Sequence, residues 1–209
     1  APQASRSGGG FMAGALQTHD RVQRDIAEAA QWALDRGVAD PARMAVLGAS
    51  FGGYSVLQQL IRRDHDWRCG VNLVGVAHWE RLMAQRPAFW RNRHMFVRSF
   101  GDAATPKGQA ASRAASPVFH LDRIAAPLLV IHGANDIRVP QQDSDDVVAA
   151  LRARGQSVDY LVFQGEGHST GPWRNRLAQS RRIEDFLARC LGGRSAGWDF
   201  YELMPSAAR

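Results

Sequence analysis

Short apolar runs alternate along this chain with longer stretches in which apolar residues return every three or four positions. From His19 to Arg36 the recurring positions are Val22, Ile26, Ala29, Ala30 and Ala33, which share one face at helical spacing. Gly37 stops that helix and Asp40-Pro41 makes a turn. Met44 to Leu47 is then a brief apolar run of the kind shown by a buried parallel strand. A helix is predicted from Gly53 to Arg63, followed by strands at 69–76, 127–132 and 158–163. Helices are predicted at 142–154, with Val147, Val148 and Leu151 facing inward, and at 175–191. Strand and helix alternate, so the expectation is an α/β fold: a mostly parallel sheet flanked by helices. Residues 78–120 break the rhythm with aromatics, arginines and no strand. They read as a helical excursion over the sheet top. Its aromatic side (Trp79, Phe89, Trp90, Phe96 and Phe100) packs on the sheet and on a functional reading also walls a substrate pocket, with Trp90 as a substrate-binding residue.

Composition narrows the class without changing the fold. The 209 residues are 45% hydrophobic and 22% charged, which suits a single globular domain over 1–209. No apolar run approaches the roughly 20 residues needed to cross a bilayer. The opening APQASRSGGG has no apolar stretch behind it of the kind a secretory leader carries. A cytoplasmic location is therefore preferred over secretion. Net charge is +6, with Lys107 the lone lysine, but the arginines are scattered singly and in pairs over the whole length. That pattern favours a solvated basic surface over a nucleic-acid face. Neither nucleic acid nor membrane is expected as a partner. Cys69 and Cys190 are too few for a disulfide framework or a structural zinc site and read as core or near-core filler, leaving the redox compartment open.

The chemistry concentrates at predicted strand ends. Gly48-Ala49-Ser50-Phe51-Gly52-Gly53 lies directly between the strand at 44–47 and a helix, the context a nucleophile elbow requires. A serine there is lifted out of the sheet top, and the helix N-terminus favours developing negative charge beside it. Serine alone is a weak nucleophile and needs a base held in the right tautomer by a third group. After the strand PLLVIH comes Gly133-Ala134-Asn135-Asp136, a carboxylate on a loop leaving the sheet. After VDYLVF comes Gln164-Gly165-Glu166-Gly167-His168, a histidine on the next such loop. Ser50 is thus the expected nucleophile, Asp136 the orienting acid and His168 the base. Asp143, Asp145 and Asp146 are rival acids but lie in the following helix and read as N-terminal dipole partners. Glu166 reads as a loop surface residue and His132 as structural, while His78 stays open. The histidines lack metal-ligand spacing, so neither a metal nor a cofactor is expected.

These segments resemble the prolyl oligopeptidase family of serine peptidases, and most closely its acylaminoacyl-peptidase-like branch. The carriers are DPARMAVLGASFGGYSVL at 40–57, AASPVFHLDRIAAPLLVIHGANDIRVP at 114–140 and YLVFQGEGH at 160–168, with RPAFWRNRHMFVRSFGD at 86–102 similar to that family's helical excursion. The resemblance runs from about residue 20 to 193. It implies an α/β-hydrolase fold, with Ser50, Asp136 and His168 as triad and the Phe51 backbone N–H as an oxyanion donor. It implies that Arg138 hydrogen-bonds a peptide carbonyl of the substrate and that Val139 lines the primary specificity pocket. Cleavage of short or N-acylated peptides through an acyl-enzyme is the implied activity. A carboxylesterase, or a catalytically impaired fragment of a longer peptidase, is the alternative.

One departure stands out. Members of that family carry several strands before the elbow strand, along with a turn or tyrosine that supplies a second oxyanion donor. Here only a short stretch precedes Ser50. The sheet is therefore expected to lack its N-terminal strands, and the loss of such a donor typically costs on the order of 10²–10³ in rate. The strand at 44–47 is expected to present an open edge. Proteins avoid long unpaired edges because these template aggregation. A second copy of the chain or a missing N-terminal half is expected to cover it.

Overall fold

The computed structural model describes residues 18–85, 93–195 and 197. Four strands form one sheet in the order β1 (Ala45–Ala49), β2 (Cys69–Leu73), β3 (Leu128–Gly133) and β4 (Val158–Phe163), all parallel. The helices are α1 (Thr18–Asp35), α2 (Phe51–Arg62), α3 (Trp79–Gln85), α4 (Arg93–Phe100), α5 (Pro106–Ala115), α6 (Gln141–Ala153) and α7 (Trp173–Leu191). The helices of the β1–β2 and β3–β4 connections, α2 and α6, lie on one face, as the right-handed rule for parallel connections leads one to expect. Accordingly Leu128 and Val130 of β3 point into a cluster with Val56, Leu57 and Leu60 of α2 and Val147, Val148 and Leu151 of α6. The alternate residues Leu129 and Ile131 point the other way, against Phe163 and Phe186 of α7. Period-two alternation thus feeds two apolar layers from one strand, and each fully buried aliphatic chain contributes about 1.5–3 kcal/mol.

Three details differ from the sequence expectation. First, the inward face of α1 is centred on Gln23, which is 1% exposed, whereas Ala29 faces solvent. Gln23 donates to Ser55 Oγ at 3.0 Å, and Gln59 donates back to the Gln23 carbonyl at 2.9 Å. Paired amides in this way dock α1 on α2, because each amide NH₂ meets an acceptor on the other helix. Second, the apolar run at 69–76 stops being strand at Leu73. Val74 turns to φ 46° and Asn72 Oδ1 accepts the Gly75 N–H, which folds the chain away from the sheet. Third, Cys69 and Cys190 are not simple filler but form a disulfide across 121 residues of sequence. It ties the end of α7 to the start of β2, and a bond of this kind typically contributes about 2–4 kcal/mol.

Above the sheet top, α3, α4 and α5 build the excursion. Trp79 and Phe100 stack with ring centroids 3.5 Å apart, in a cluster with Tyr54, Val76, Leu82, Ala115 and Val139. Phe51 and Phe96 pack against its border. At the opposite side of the sheet, β1 has no outer neighbour among the described residues, and Leu47 is 52% exposed.

Candidate active site

The turn from β1 into α2 is sterically exacting. Ser50 adopts φ 57° and ψ −115°, a conformation that costs of order 1–3 kcal/mol for a non-glycine residue and persists only when its surroundings enforce it. The enforcement comes from close approach. A Cβ on Gly48 would lie 2.3 Å from the Gly52 carbonyl oxygen, and one on Gly53 would lie 2.6 Å from Gly75 Cα. Gly52 itself has open space around its missing Cβ, so its backbone, not its own lack of a side chain, makes the fit. The Ser50 N–H donates to the Leu73 carbonyl at 2.8 Å, extending the β1–β2 pairing to the turn. Phe51 then opens α2 as its first residue, where a backbone N–H has no intrahelical acceptor.

Two further loops meet that turn. His168 Nε2 lies 2.8 Å from Ser50 Oγ, and its Nδ1 lies 2.7 Å from Asp136 Oδ2. Asp136 is held by more than the imidazole. Its Oδ1 accepts the N–H groups of Arg138 at 2.8 Å and Val139 at 3.0 Å. The His132 ring stands 3.5 Å from Oδ2. Burial alone would raise the Asp136 pKa, but the adjacent His132 ring, the His168 hydrogen bond and the two backbone N–H groups outweigh it and hold the carboxyl well below its ordinary range. An ionised carboxylate only accepts, so His168 Nδ1 must carry the proton and neutral Nε2 is free to accept from Ser50. His132 is settled by the same logic. Its Nε2 faces the Val139 carbonyl at 3.0 Å and must donate, while Nδ1 accepts from Ser144 Oγ at 2.7 Å. Serine hydroxyl, imidazole and carboxylate form a chain through which a proton can leave oxygen as that oxygen attacks an electrophilic carbon.

The model of the prolyl oligopeptidase family matches residues 7–194. The chain belongs to the prolyl oligopeptidase family. Dipeptidyl aminopeptidase BIII of Pseudoxanthomonas mexicana is 36% identical over 199 residues, covering 94% of this chain and 28% of that protein. Dipeptidyl peptidase family member 6 of Caenorhabditis elegans is 36% identical over 175 residues, covering 83% of this chain and 24% of that protein. Among solved structures, a puromycin-hydrolyzing peptidase of Mycobacterium tuberculosis superposes with a TM-score of 0.71 at 29% identity, covering 82% of this chain and 25% of that one. This chain thus spans about a quarter of the length of these relatives.

Placed on the prolyl oligopeptidase family domain, the remaining expected residues fall in different settings. The Arg138 side chain is exposed on the Asp136 loop and has no ion pair with a described residue. Val139 is 1% exposed and packs in the aromatic cluster with Tyr54 and Trp79, so it stands beneath the surface of the site. Trp90 lies outside the described residues. Glu166 is not a surface residue but is 7% exposed and bonded to Gly171 and Asn175. Asp143 stands in the first turn of α6 as expected of a dipole partner, yet its side chain is fully buried and does more. It accepts the N–H groups of Ala77 and His78 at 2.8 and 2.9 Å and pairs with Arg81 at 3.0 Å. No spacing rule marks either carboxylate: Asp143's partners lie more than sixty residues away, and Glu166 meets Gly171 and Asn175 only once its loop folds back onto α7. Among the described residues no cluster of His, Cys, Asp and Glu could hold a metal, and no helix is long and apolar enough to cross a membrane.

Proposed function

We propose that this domain carries the reaction centre of a serine peptidase that cleaves short or N-acylated peptides through an acyl-enzyme on Ser50. The observation that carries the reading is the unbroken relay Ser50–His168–Asp136 at 2.8 and 2.7 Å, with Asp136 held ionised. Ser50 Oγ attacks the scissile carbonyl while His168 Nε2 takes its proton. The oxyanion forms against the Phe51 N–H at the start of α2, where the helix dipole favours it. His168 then protonates the leaving amine, and water repeats the sequence in reverse to free the acid. The family membership and the peptidase relatives support the same class.

The decisive experiment is labelling with a fluorophosphonate probe. Ser50 takes the label in the native protein, and Ser50→Ala takes none; equal labelling of the Ala variant removes Ser50 from the mechanism. The kcat/KM ratio for matched peptide-anilide and ester substrates separates a peptidase from an esterase. In this reading the Arg138 side chain, exposed on the Asp136 loop, hydrogen-bonds a peptide carbonyl of the substrate. Arg138→Ala should weaken turnover of peptides by about 1.5–3 kcal/mol, the value of a charge-assisted hydrogen bond, and leave small esters nearly unchanged. Equal losses on both substrates would place its role elsewhere.

The outer edge of β1, with Leu47 at its surface, is in this reading covered by upstream residues of a longer protein or by a second copy, and the cover brings a second oxyanion donor. Restoring upstream residues then raises turnover, and size-exclusion chromatography tells the two covers apart. The Cys69–Cys190 disulfide supports folding in an oxidising compartment, against the cytoplasmic preference drawn from the N-terminal composition.

A further inference from the structure

One more buried ionisable group touches the loops that hold the relay. After β4 the chain turns through Gly165, at φ 88°, and Glu166 enters the interior. Glu166 Oε2 accepts the Gly171 N–H at 2.9 Å, and Oε1 accepts the Asn175 side-chain amide at 2.5 Å. The carboxylate therefore closes a ring of backbone from 166 to 171, with His168 on the ring, and fastens that ring to the first turn of α7. The main chain of the same residue faces the opposite way. Its carbonyl accepts the N–H of Asn135, the neighbour of Asp136, at 2.8 Å. The two loops also touch without side chains between them, since a Cβ on Gly133 would stand 2.1 Å from the Gly167 carbonyl oxygen.

We propose that Glu166 is a positioning residue for His168, bracing its loop against α7 and against the Asp136 loop so that both imidazole hydrogen bonds form at once. The inference rests on the reading of Ser50, Asp136 and His168 as the relay. Its physical basis is that His168 must meet Oγ on one side and Oδ2 on the other, and a displacement of about 1 Å at a reacting group can cost 10²-fold in rate. A buried carboxylate that accepts two donors is costly to disturb, because loss of either leaves a desolvated group unpaired. Thr170 Oγ1 adds a second tie to α7, through Gln179 Oε1 at 2.6 Å, so removal of Glu166 loosens the ring without releasing it.

The test uses Glu166→Ala and Glu166→Gln in the intact protein. Gln keeps the shape and one acceptor oxygen but turns an amide NH₂ toward the other donor. Four quantities are read: kcat, KM, the rate of Ser50 phosphonylation, and the far-downfield proton resonance of His168 Nδ1–H in its bond to Asp136. Expected for Ala is a fall in kcat of about 10–100-fold with KM within about threefold, a matching fall in phosphonylation, and loss of the resonance to exchange. Gln should recover part of each. If the Ala variant does not fold, Gln carries the same comparison, with a smaller fall and a broadened resonance expected. Unchanged kcat and resonance in a folded variant overturn the proposal. So does a fall in kcat that only tracks the lost folded fraction while the resonance persists. Failure of the unmodified protein to label at Ser50 is a different result: it overturns the relay itself, and this inference with it.

Discussion

The turn that leaves β3 and the first turn of α6 each bury an aspartate, and the two have opposite characters. Asp136 and Asp143 both have fully buried carboxylates, and each accepts two backbone N–H groups. They differ in the remaining donors. Asp136 Oδ2 faces two imidazoles, groups that can gain a proton, and its pKa is held low. Asp143 faces Arg81, a permanent cation that also reaches Asp146 at 2.6 Å. Burial pushes the Asp143 pKa up, and its hydrogen bonds to Ala77, His78 and Arg81 pull it back only in part. Burial would lower the Arg81 pKa, but the hydrogen bond to Asp146 and the negative charges of Asp143 and Asp146 outweigh it and raise the value. Burial by itself therefore does not make a carboxylate reactive. Asp136 can answer a change of charge on its partner. Asp143 can only hold the start of the excursion against α6.

The largest effect that could break this contrast is in rate. Asp136→Asn keeps the Oδ1 bonds but places an amide donor opposite His168 Nδ1–H, which drives the imidazole to the tautomer that cannot accept from Ser50. A loss of roughly 10⁴ in kcat is expected, as when a triad aspartate is replaced by asparagine. Asp143→Asn should change kcat by less than about tenfold. Comparable losses in the two variants would mean that Asp143 also serves the chemistry. The next effect is in stability. Asp143→Ala strands the Ala77 and His78 N–H groups and part of the Arg81 charge, and breaking a buried pair from one side costs about 3–5 kcal/mol. Chemical denaturation reads this directly, and a cost below about 1 kcal/mol would reduce the anchor to decoration.

The smallest and sharpest effect is in pH dependence, where the two groups have opposite signs. The lowered pKa of Asp136 gives stability that is present above the unfolded value near 3.9 and is lost as pH falls toward the folded value. The raised pKa of Asp143 does the reverse. Its contribution is complete below about 3.9 and is lost as pH rises through the folded value. Relative to the unmodified protein, Asp143→Asn should therefore gain melting temperature as pH rises from about 3.9. The deficit of Asp136→Asn should shrink as pH falls below that value. Parallel curves for both variants would contradict the contrast.

How much of this was legible in advance depended on where each signal lies. Ser50, Asp136 and His168 each follow a strand that its own apolar run announces, so three local patterns pointed to three loops at one end of a parallel sheet. Their distances from one another were not readable, because the register of β1, β2, β3 and β4 sets them. Local reading failed wherever a partner lies far along the chain. Cys190 meets Cys69 across 121 residues, and Gln23 meets Ser55 and Gln59 on another helix. The end of β2 has a local cause that apolar character hides. Val74 and Val76 are as apolar as the strand before them, and only the Asn72 side chain, folded back onto Gly75, shows that the sheet has ended.

The amino-acid sequence by itself determined the order of strands and helices, the elbow glycines and the identity of the three relay side chains. These follow from steric and periodic rules acting within a few residues, such as the open backbone that Gly48 and Gly53 leave for the turn at Ser50. The tertiary structure alone decided which aspartate is held ionised, which carboxylate braces the histidine loop and which helix the disulfide secures. Each of those depends on donors and acceptors supplied by separate segments. A buried group is stabilised or strained by the atoms that surround it in space, and the spacing of residues along the chain carries no record of them.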